Sequence, residues 1–143
     1  MLNKDVIYAK IENLRHCLMR IEEKTPGSVL DLIDSYDLQD IITINLERAV
    51  QCCVDIATHI IAESNSPVPD SMGKVFLILE NLHYIDKKLY KNMTDAVGFR
   101  NIAVHAYRDI DWNIVFSIIT DHLSDFKKFV TQILSKIDEE KNI

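Results

Sequence analysis

Glycine, proline and cysteine are scarce in this 143-residue chain, which contains only three of each. So few turn-forming residues disfavour an all-β sandwich, because that fold needs a turn signal about every ten residues. The three cysteines are Cys17, Cys52 and Cys53. An odd number with two adjacent members does not suit a disulfide framework, so we expect a protein of the reducing cytoplasm.

Long apolar runs are also missing from the sequence. No stretch approaches the roughly 18 apolar residues that a membrane-spanning helix requires. The amino-terminal residues are periodic and charged, and they lack the apolar core and small-residue cleavage site of a secretory signal. We therefore expect neither membrane insertion nor secretion.

Positive charge is in short supply overall but is concentrated in one segment. The formal net charge is -6 and the pI is near 5.3, which excludes a general attraction to polyphosphate as a property of the whole molecule. Residues 86–108 nevertheless contain five basic and two acidic side chains, a net charge of +3 that leaves -9 for the rest of the chain. If the protein handles nucleic acid, the sequence predicts that it does so at this local basic site.

Helical periodicity dominates what is present. A composition of 48% apolar and 27% charged residues is typical of a globular protein, and this length suits a single domain over residues 1–143. Apolar residues recur at helical spacing in five stretches, with predicted N-caps that include Asn3 and Asp37. The last helix, predicted from about residue 111 to 136, has His122 on its inward face. Short connections favour antiparallel neighbours, so we predict an all-α, up-and-down bundle of four or five helices.

The segment GFRNIAVHAYR, residues 98–108, differs from an ordinary connection between helices. Asn101 and His105 are four residues apart and share a face if the helix continues, so the amide can fix the tautomer of the imidazole. Arg100 and His105 are five apart, which separates them by roughly 140° around an ideal helix. We expect these two side chains to converge only if the helix loosens near His105 or a symmetry-related copy supplies the second group.

These residue types suit the cleavage of RNA. Histidine transfers protons near neutral pH, and arginine stabilises charge on a phosphoryl group. The segment offers no serine or cysteine nucleophile with a partnered base, whereas RNA brings its own nucleophile, the 2′-hydroxyl. His105 would then move protons while Arg100 stabilises the pentavalent phosphate, with no metal. Arg108 and Lys91 are candidate contacts to RNA phosphates.

A purely structural interpretation of the segment stays open on residue types alone. In it, His105 donates to the last carbonyls of a helix, Arg100 and Arg108 form surface ion pairs, and Tyr107 is a half-buried packing residue. Trp112, just after the segment, could stack a base, but such a residue more commonly anchors a helix against its bundle.

The segment resembles the signature of the HEPN superfamily of ribonucleases, an arginine and a polar residue followed by a histidine four to six positions after the arginine. The fuller pattern GFRN-x-x-x-H-x-Y resembles that of the HepT group, the toxins of HepT–MntA toxin–antitoxin systems. The LERAVQ segment, residues 46–51, the Pro-Val-Pro loop, residues 67–69, and the position of the motif before the last long helix follow the order of that group. The resemblance extends over about residues 5–137.

The resemblance implies a helical bundle that forms a two-fold homodimer, with two copies of the motif facing a shared cleft. It implies a metal-independent endoribonuclease without a cofactor, in which Arg100 and His105 are catalytic and Asn101 supports them. It also implies regulation, because a cognate MntA-type nucleotidyltransferase attaches AMP to the tyrosine that corresponds to Tyr107. A phosphodiester two residues from His105 would repel and block the RNA strand.

An alternative function remains open beside the nuclease. The same fold can act as a non-catalytic module that binds a nucleotide or a partner through the motif and scaffolds the nucleotidyltransferase. Under that hypothesis, replacing His105 weakens binding and removes no activity.

Overall fold

The computed structural model describes the backbone of residues 2–141 and the side chains of residues 2–138. Every regular element in that range is helical, which confirms the all-α prediction. The elements are α1 (Lys4–Lys24), α2 (Val29–Ile33), α3 (Tyr36–Glu63), α4 (Lys74–Asn81), α5 (Lys87–His105), a 3-10 turn (Tyr107–Asp109), α6 (Trp112–Ser117), a π-helical turn (Ile118–His122) and α7 (Leu123–Lys141). Within the described residues, none of these helices is both long and apolar enough to cross a membrane.

Helix α3 is the centre of an up-and-down bundle. Helix α1 runs antiparallel along it, so that the Lys10 Nζ lies 3.1 Å from the Asp55 Oδ2 near one end. Helix α5 is antiparallel to α3, and α7 is antiparallel to α5. The core is formed by apolar side chains that point inward from all of these helices, among them Ile11, Leu14, Ile42, Leu46, Ile60, Phe76, Met93, Phe129 and Ile133.

The helix starts follow from local capping. The Asn3 side chain accepts a hydrogen bond from the Asp5 backbone N–H at 3.1 Å, which confirms the predicted cap of α1. The predicted cap at Asp37 is wrong, because the Ser35 Oγ accepts from the Leu38 N–H and starts α3 two residues earlier. Asp37 instead lies in the first turn, where its charge favours the helix N-terminus.

The π-helical turn corrects the predicted orientation of His122. An α-helix through this region would turn His122 inward, but the wider turn advances the buried face by one residue. Leu123 is buried in its place, and the His122 side chain is 54% exposed. The His122 Nδ1 lies 3.3 Å from the Asp125 Oδ2, and that carboxylate also accepts from the Asn92 amide at 3.2 Å. This contact joins α7 to α5, the helix that carries the motif.

Candidate active site

The carboxyl-terminal end of α5 and the turn after it carry the motif. Helix α5 runs without a break through Arg100, Asn101 and His105. Ala106 then leaves the helical conformation (φ -142°, ψ 50°), while its N–H still bonds to the Ile102 carbonyl at 2.8 Å. The 3-10 turn that follows begins with Tyr107, so this tyrosine lies directly beyond the helix end.

Arg100 is half-buried against α3. Its Nη2 donates to the Gln51 Oε1 at 3.5 Å and its Nη1 to the Asn101 Oδ1 at 3.4 Å, both long hydrogen bonds. Its Nε is buried and has no hydrogen-bond partner among the described residues. A guanidinium has five N–H donors in a fixed fork that matches the oxygens of a phosphate. Arg100 therefore keeps donor capacity that an anion can use.

Asn101 and His105 do not form the predicted contact. The Asn101 Oδ1 accepts from Arg100, and among the described residues no hydrogen bond joins the amide to the imidazole. Both side chains are exposed. The tautomer of His105 is thus not set by Asn101 in this structure.

Arg100 and His105 do not converge within one chain. Because α5 stays helical through both residues, they lie roughly 140° apart around its axis. Arg100 faces α3, and His105 is exposed to solvent. The loosened helix that the sequence allowed near His105 is therefore not present in this structure.

Tyr107 is anchored on two sides. Its hydroxyl donates to the Asp40 Oδ1 at 3.0 Å, and its ring meets the Trp112 ring edge-on with centroids 6.0 Å apart. Trp112 is half-buried and packs against the core, so it acts here as an anchor. Burial raises the pKa of Tyr107 above its ordinary value, and the hydrogen bond to Asp40 and the charge of that carboxylate raise it further.

A row of polar side chains on α3 accepts hydrogen bonds from both Arg100 and Tyr107. Asp40, Glu47 and Gln51 stand seven and four residues apart, which places them on one face of the helix. We call these three residues the α3 polar stripe. Burial raises the pKa of the Glu47 carboxyl, while the charge of Arg100, and after it that of Arg48, lowers it. The stripe was not predicted from the sequence as part of the site, although Glu47 and Gln51 belong to the LERAVQ segment.

The two remaining candidates lie at different distances from the motif. Arg108 is exposed in the 3-10 turn beside Tyr107. Lys91 is exposed on α5, 14 residues before His105, which is about 21 Å along the helix axis on nearly the same face. Lys91 can therefore meet a phosphate only well away from the one that His105 reaches.

A cavity of about 550 Å³ lies on another side of α5, against α6, the π-helical turn and α7. Its walls are mostly apolar, with Phe99, Ile102 and Ile114 among them, and its charged rim includes Asp95 and Asp111. Arg100, His105 and Tyr107 do not line it. An apolar cavity with an acidic rim repels phosphate, so the motif and not this cavity suits RNA.

Sequence comparison gives one family and several named relatives. The family model described as ribonuclease HepT-like matches residues 14–133. The mRNA nuclease HepT of Shewanella oneidensis is 34% identical over 129 residues, which is 90% of this chain and 96% of that protein. The tRNA nuclease HepT of Aphanizomenon flos-aquae is 29% identical over 139 residues, covering 96% of this chain and 95% of that protein.

Solved structures of HEPN toxins also match this chain. A crystal structure of a toxin–antitoxin with AMP-PNP matches with a TM-score of 0.86 and 33% identity, covering 92% of this chain and 98% of the other. The tri-AMPylated HEPN toxin of Shewanella oneidensis, in complex with the MNT antitoxin, matches with a TM-score of 0.86, 34% identity and the same coverage. The cytosolic protein YutE of Bacillus subtilis, only 16% identical with a TM-score of 0.83, shares the fold.

Proposed function

Because the chain belongs to the family of HepT-like ribonucleases, we propose that it is the toxin of a toxin–antitoxin system and an endoribonuclease that cleaves cellular RNA. The observation that carries this proposal is the end of α5, where a half-buried arginine with unused donors and an exposed histidine stand on one helix. We further propose that residues 1–143 act as one HEPN-like domain in the cytoplasm, in line with the three buried free cysteines.

The proposed reaction needs neither a metal nor a cofactor. His105 removes the proton of the RNA 2′-hydroxyl, and the oxygen attacks the neighbouring phosphorus. The bond from phosphorus to the 5′-oxygen breaks, and another acid, such as water, protonates that leaving oxygen. Arg100 stabilises the charge on the pentavalent phosphate, and Asn101 supports it through the hydrogen bond between their side chains. The products end in a 2′,3′-cyclic phosphate and a 5′-hydroxyl.

Two copies of the chain assemble this site in our proposal. Arg100 and His105 diverge within one chain, so the arginine of one copy acts with the histidine of the other. The surface near the motif exposes Ile102, Val104 and Ile114, and Ile114 is 55% accessible. Exposed apolar side chains of this kind suit contact with a second copy. In the homodimer, Arg108 holds a phosphate next to the scissile one, and Lys91 holds a more distant one.

Silencing is proposed to occur by AMPylation of Tyr107. The Shewanella toxin that this chain resembles is described as tri-AMPylated and in complex with its antitoxin, and we propose a cognate MntA-type nucleotidyltransferase as the partner here. Tyr107 is 40% exposed and lies two residues after His105. An AMP phosphodiester at its hydroxyl brings negative charge to the position that the RNA strand needs.

Cleavage of cellular RNA in excess EDTA tests the nuclease. We expect purified protein of unmodified mass to cut, His105→Ala to be slower by about 10² to 10⁴, and Arg100→Lys, which lacks the fork, by about 10² to 10³. His16→Ala, on the exposed face of α1, is the matched control and should cut like the wild type.

Unmodified protein that binds RNA but cannot cut it would support the non-catalytic module instead. In that case His105→Ala weakens binding with no activity to lose. Because a mass raised by whole AMP units identifies silenced enzyme, the intact mass is measured before each assay.

A further inference from the structure

Tyr107 is not the most exposed tyrosine of the chain. Tyr36 is 83% exposed on α3, against 40% for Tyr107. If accessibility alone selected the acceptor of AMP, Tyr36 would be the better one. In the structure, the Tyr107 hydroxyl donates a hydrogen bond to the Asp40 Oδ1 at 3.0 Å, and contact with Trp112 holds its ring in place.

The hydroxyl of Tyr107 needs a proton acceptor before it can attack a phosphate. A tyrosine phenol is protonated at neutral pH, the raised pKa of Tyr107 makes its proton harder still to remove, and a neutral phenol is a weak nucleophile. A base must lie within about 2.6–3.2 Å of the proton that it removes. Asp40 meets this distance and already accepts that hydrogen bond. Its place in the second turn of α3, a rigid helix, fixes its position relative to the turn that carries Tyr107.

We propose that Asp40 is the catalytic proton acceptor for the first AMP transfer to Tyr107, an inference that rests on the proposed silencing of this toxin. The phenolic oxygen attacks the α-phosphorus of ATP and its proton passes to the Asp40 carboxylate. The new bond joins the tyrosine oxygen to phosphorus, the bond between the α-phosphorus and the bridging oxygen to the β-phosphate breaks, and pyrophosphate leaves. The nucleotidyltransferase supplies the ATP, and this chain supplies both the nucleophile and the base.

Asp40 and Glu47 of the α3 polar stripe also determine where the product goes. After transfer, a negatively charged phosphodiester stands beside Asp40 and near Glu47, both on α3. Repulsion moves the adenylate away from these carboxylates and toward the exposed cationic side chain of Arg108. The residue that activates Tyr107 thereby directs AMP toward Arg108, a group proposed to bind an RNA phosphate.

The test follows the first AMP addition by intact mass, using the full chain, its cognate nucleotidyltransferase, ATP and Mg²⁺. Asp40→Asn keeps an oxygen that can accept the hydrogen bond but cannot take the proton, and Asp40→Ala removes both. We expect both variants to be slower than the wild type by about 10² or more. Asp37→Asn, an exposed aspartate one turn earlier on α3, is the matched control and should react at the wild-type rate. Tyr107→Phe should gain no AMP.

Each other result has a definite meaning. A wild-type rate in Asp40→Asn with a slow Asp40→Ala overturns the role of proton acceptor and leaves one of positioning. Wild-type rates in both variants overturn any role of Asp40. Wild-type protein that never gains AMP overturns the proposed silencing itself, and this inference with it. Urea unfolding of each variant establishes that a slow rate does not come from lost structure.

Discussion

Arg100 has two roles in this account: it contacts α3 through Gln51, and it is the group proposed to bind a phosphate. Its acceptors are the amide oxygens of Gln51 and Asn101, both at long distances, and its charge lowers the pKa of the partly buried Glu47. Neutral amides at long range bind a guanidinium weakly, so a phosphate can displace them at small cost. Glu47 adds a charge interaction with Arg100 from the same face of α3.

The charge interaction between Arg100 and Glu47 can be measured through the pKa of Glu47. Burial raises the pKa of Glu47, and the charge of Arg100 is the largest effect that lowers it. In Arg100→Gln the pKa of Glu47 should therefore rise further, because the charged carboxyl loses its main favourable neighbour. A carboxyl-carbon NMR titration of Glu47 measures this shift. Arg108→Gln, in the exposed 3-10 turn, is the control, and equal pKa values in the two variants would contradict the pairing.

Among the secondary-structure elements, helix α3 contacts both α1 and the motif. One of its faces packs on α1, and the α3 polar stripe on another face holds Arg100 and Tyr107. The cysteines lie on the α1 side, where Cys17 and Cys52 are close enough for their charges to interact. Burial raises the pKa of Cys52 to about 11, and it raises the pKa of Cys17 and Cys53 as well. These thiols are packing residues of the α1–α3 interface.

Alkaline pH should loosen this interface. In the unfolded chain a thiol ionises near pH 8.5, whereas Cys52 in the fold does so near 11. Its contribution to stability is complete below the unfolded value and is lost as the pH rises to about 11. We expect the free energy of unfolding in urea to fall between pH 8 and 11, and to fall less steeply in Cys52→Ala. The same slope in both proteins would show that Cys52 does not titrate as described.

Most of the fold could be predicted from sequence because it depends on local signals. The Asn3 cap and the helical spacing of buried residues gave α1 correctly, and the motif lies at the end of α5 as expected. Ser35 and Asp37 are both good caps two residues apart, and only the geometry at Leu38 decides between them. The π-helical turn at residues 118–122 could not be predicted, since His122 and Leu123 both fit a helical stripe and packing selects one.

The candidate site was predictable in its residue types and not in its contacts. The unusual concentration of Arg100, Asn101, His105 and Tyr107 is visible in the sequence. Their partners are on α3, and the Tyr107–Asp40 bond spans 67 positions. No local pattern relates residues so far apart. The predicted Asn101–His105 contact was wrong because the amide oxygen has a nearer donor in Arg100.

The whole molecule separates charge in a way that suits its proposed substrate. Outside the segment that carries the motif the chain has a net charge of -9, and the segment itself has +3. An RNA strand is therefore repelled from most of the surface and attracted to the segment formed by α5 and the turn after it. In the proposed homodimer, two such segments come together, and an arginine of one copy acts with a histidine of the other.

One mixing experiment tests this central claim most directly. Arg100→Ala and His105→Ala are each expected to be nearly inactive alone. When the two variants, carrying different tags, exchange subunits, the mixed dimer holds an intact Arg100 on one copy and an intact His105 on the other. Cleavage of a labelled RNA in EDTA should then reappear, and it should grow with the fraction of mixed dimer. If doubly tagged dimers form and the RNA stays intact, Arg100 and His105 do not act across the dimer, and the account is contradicted.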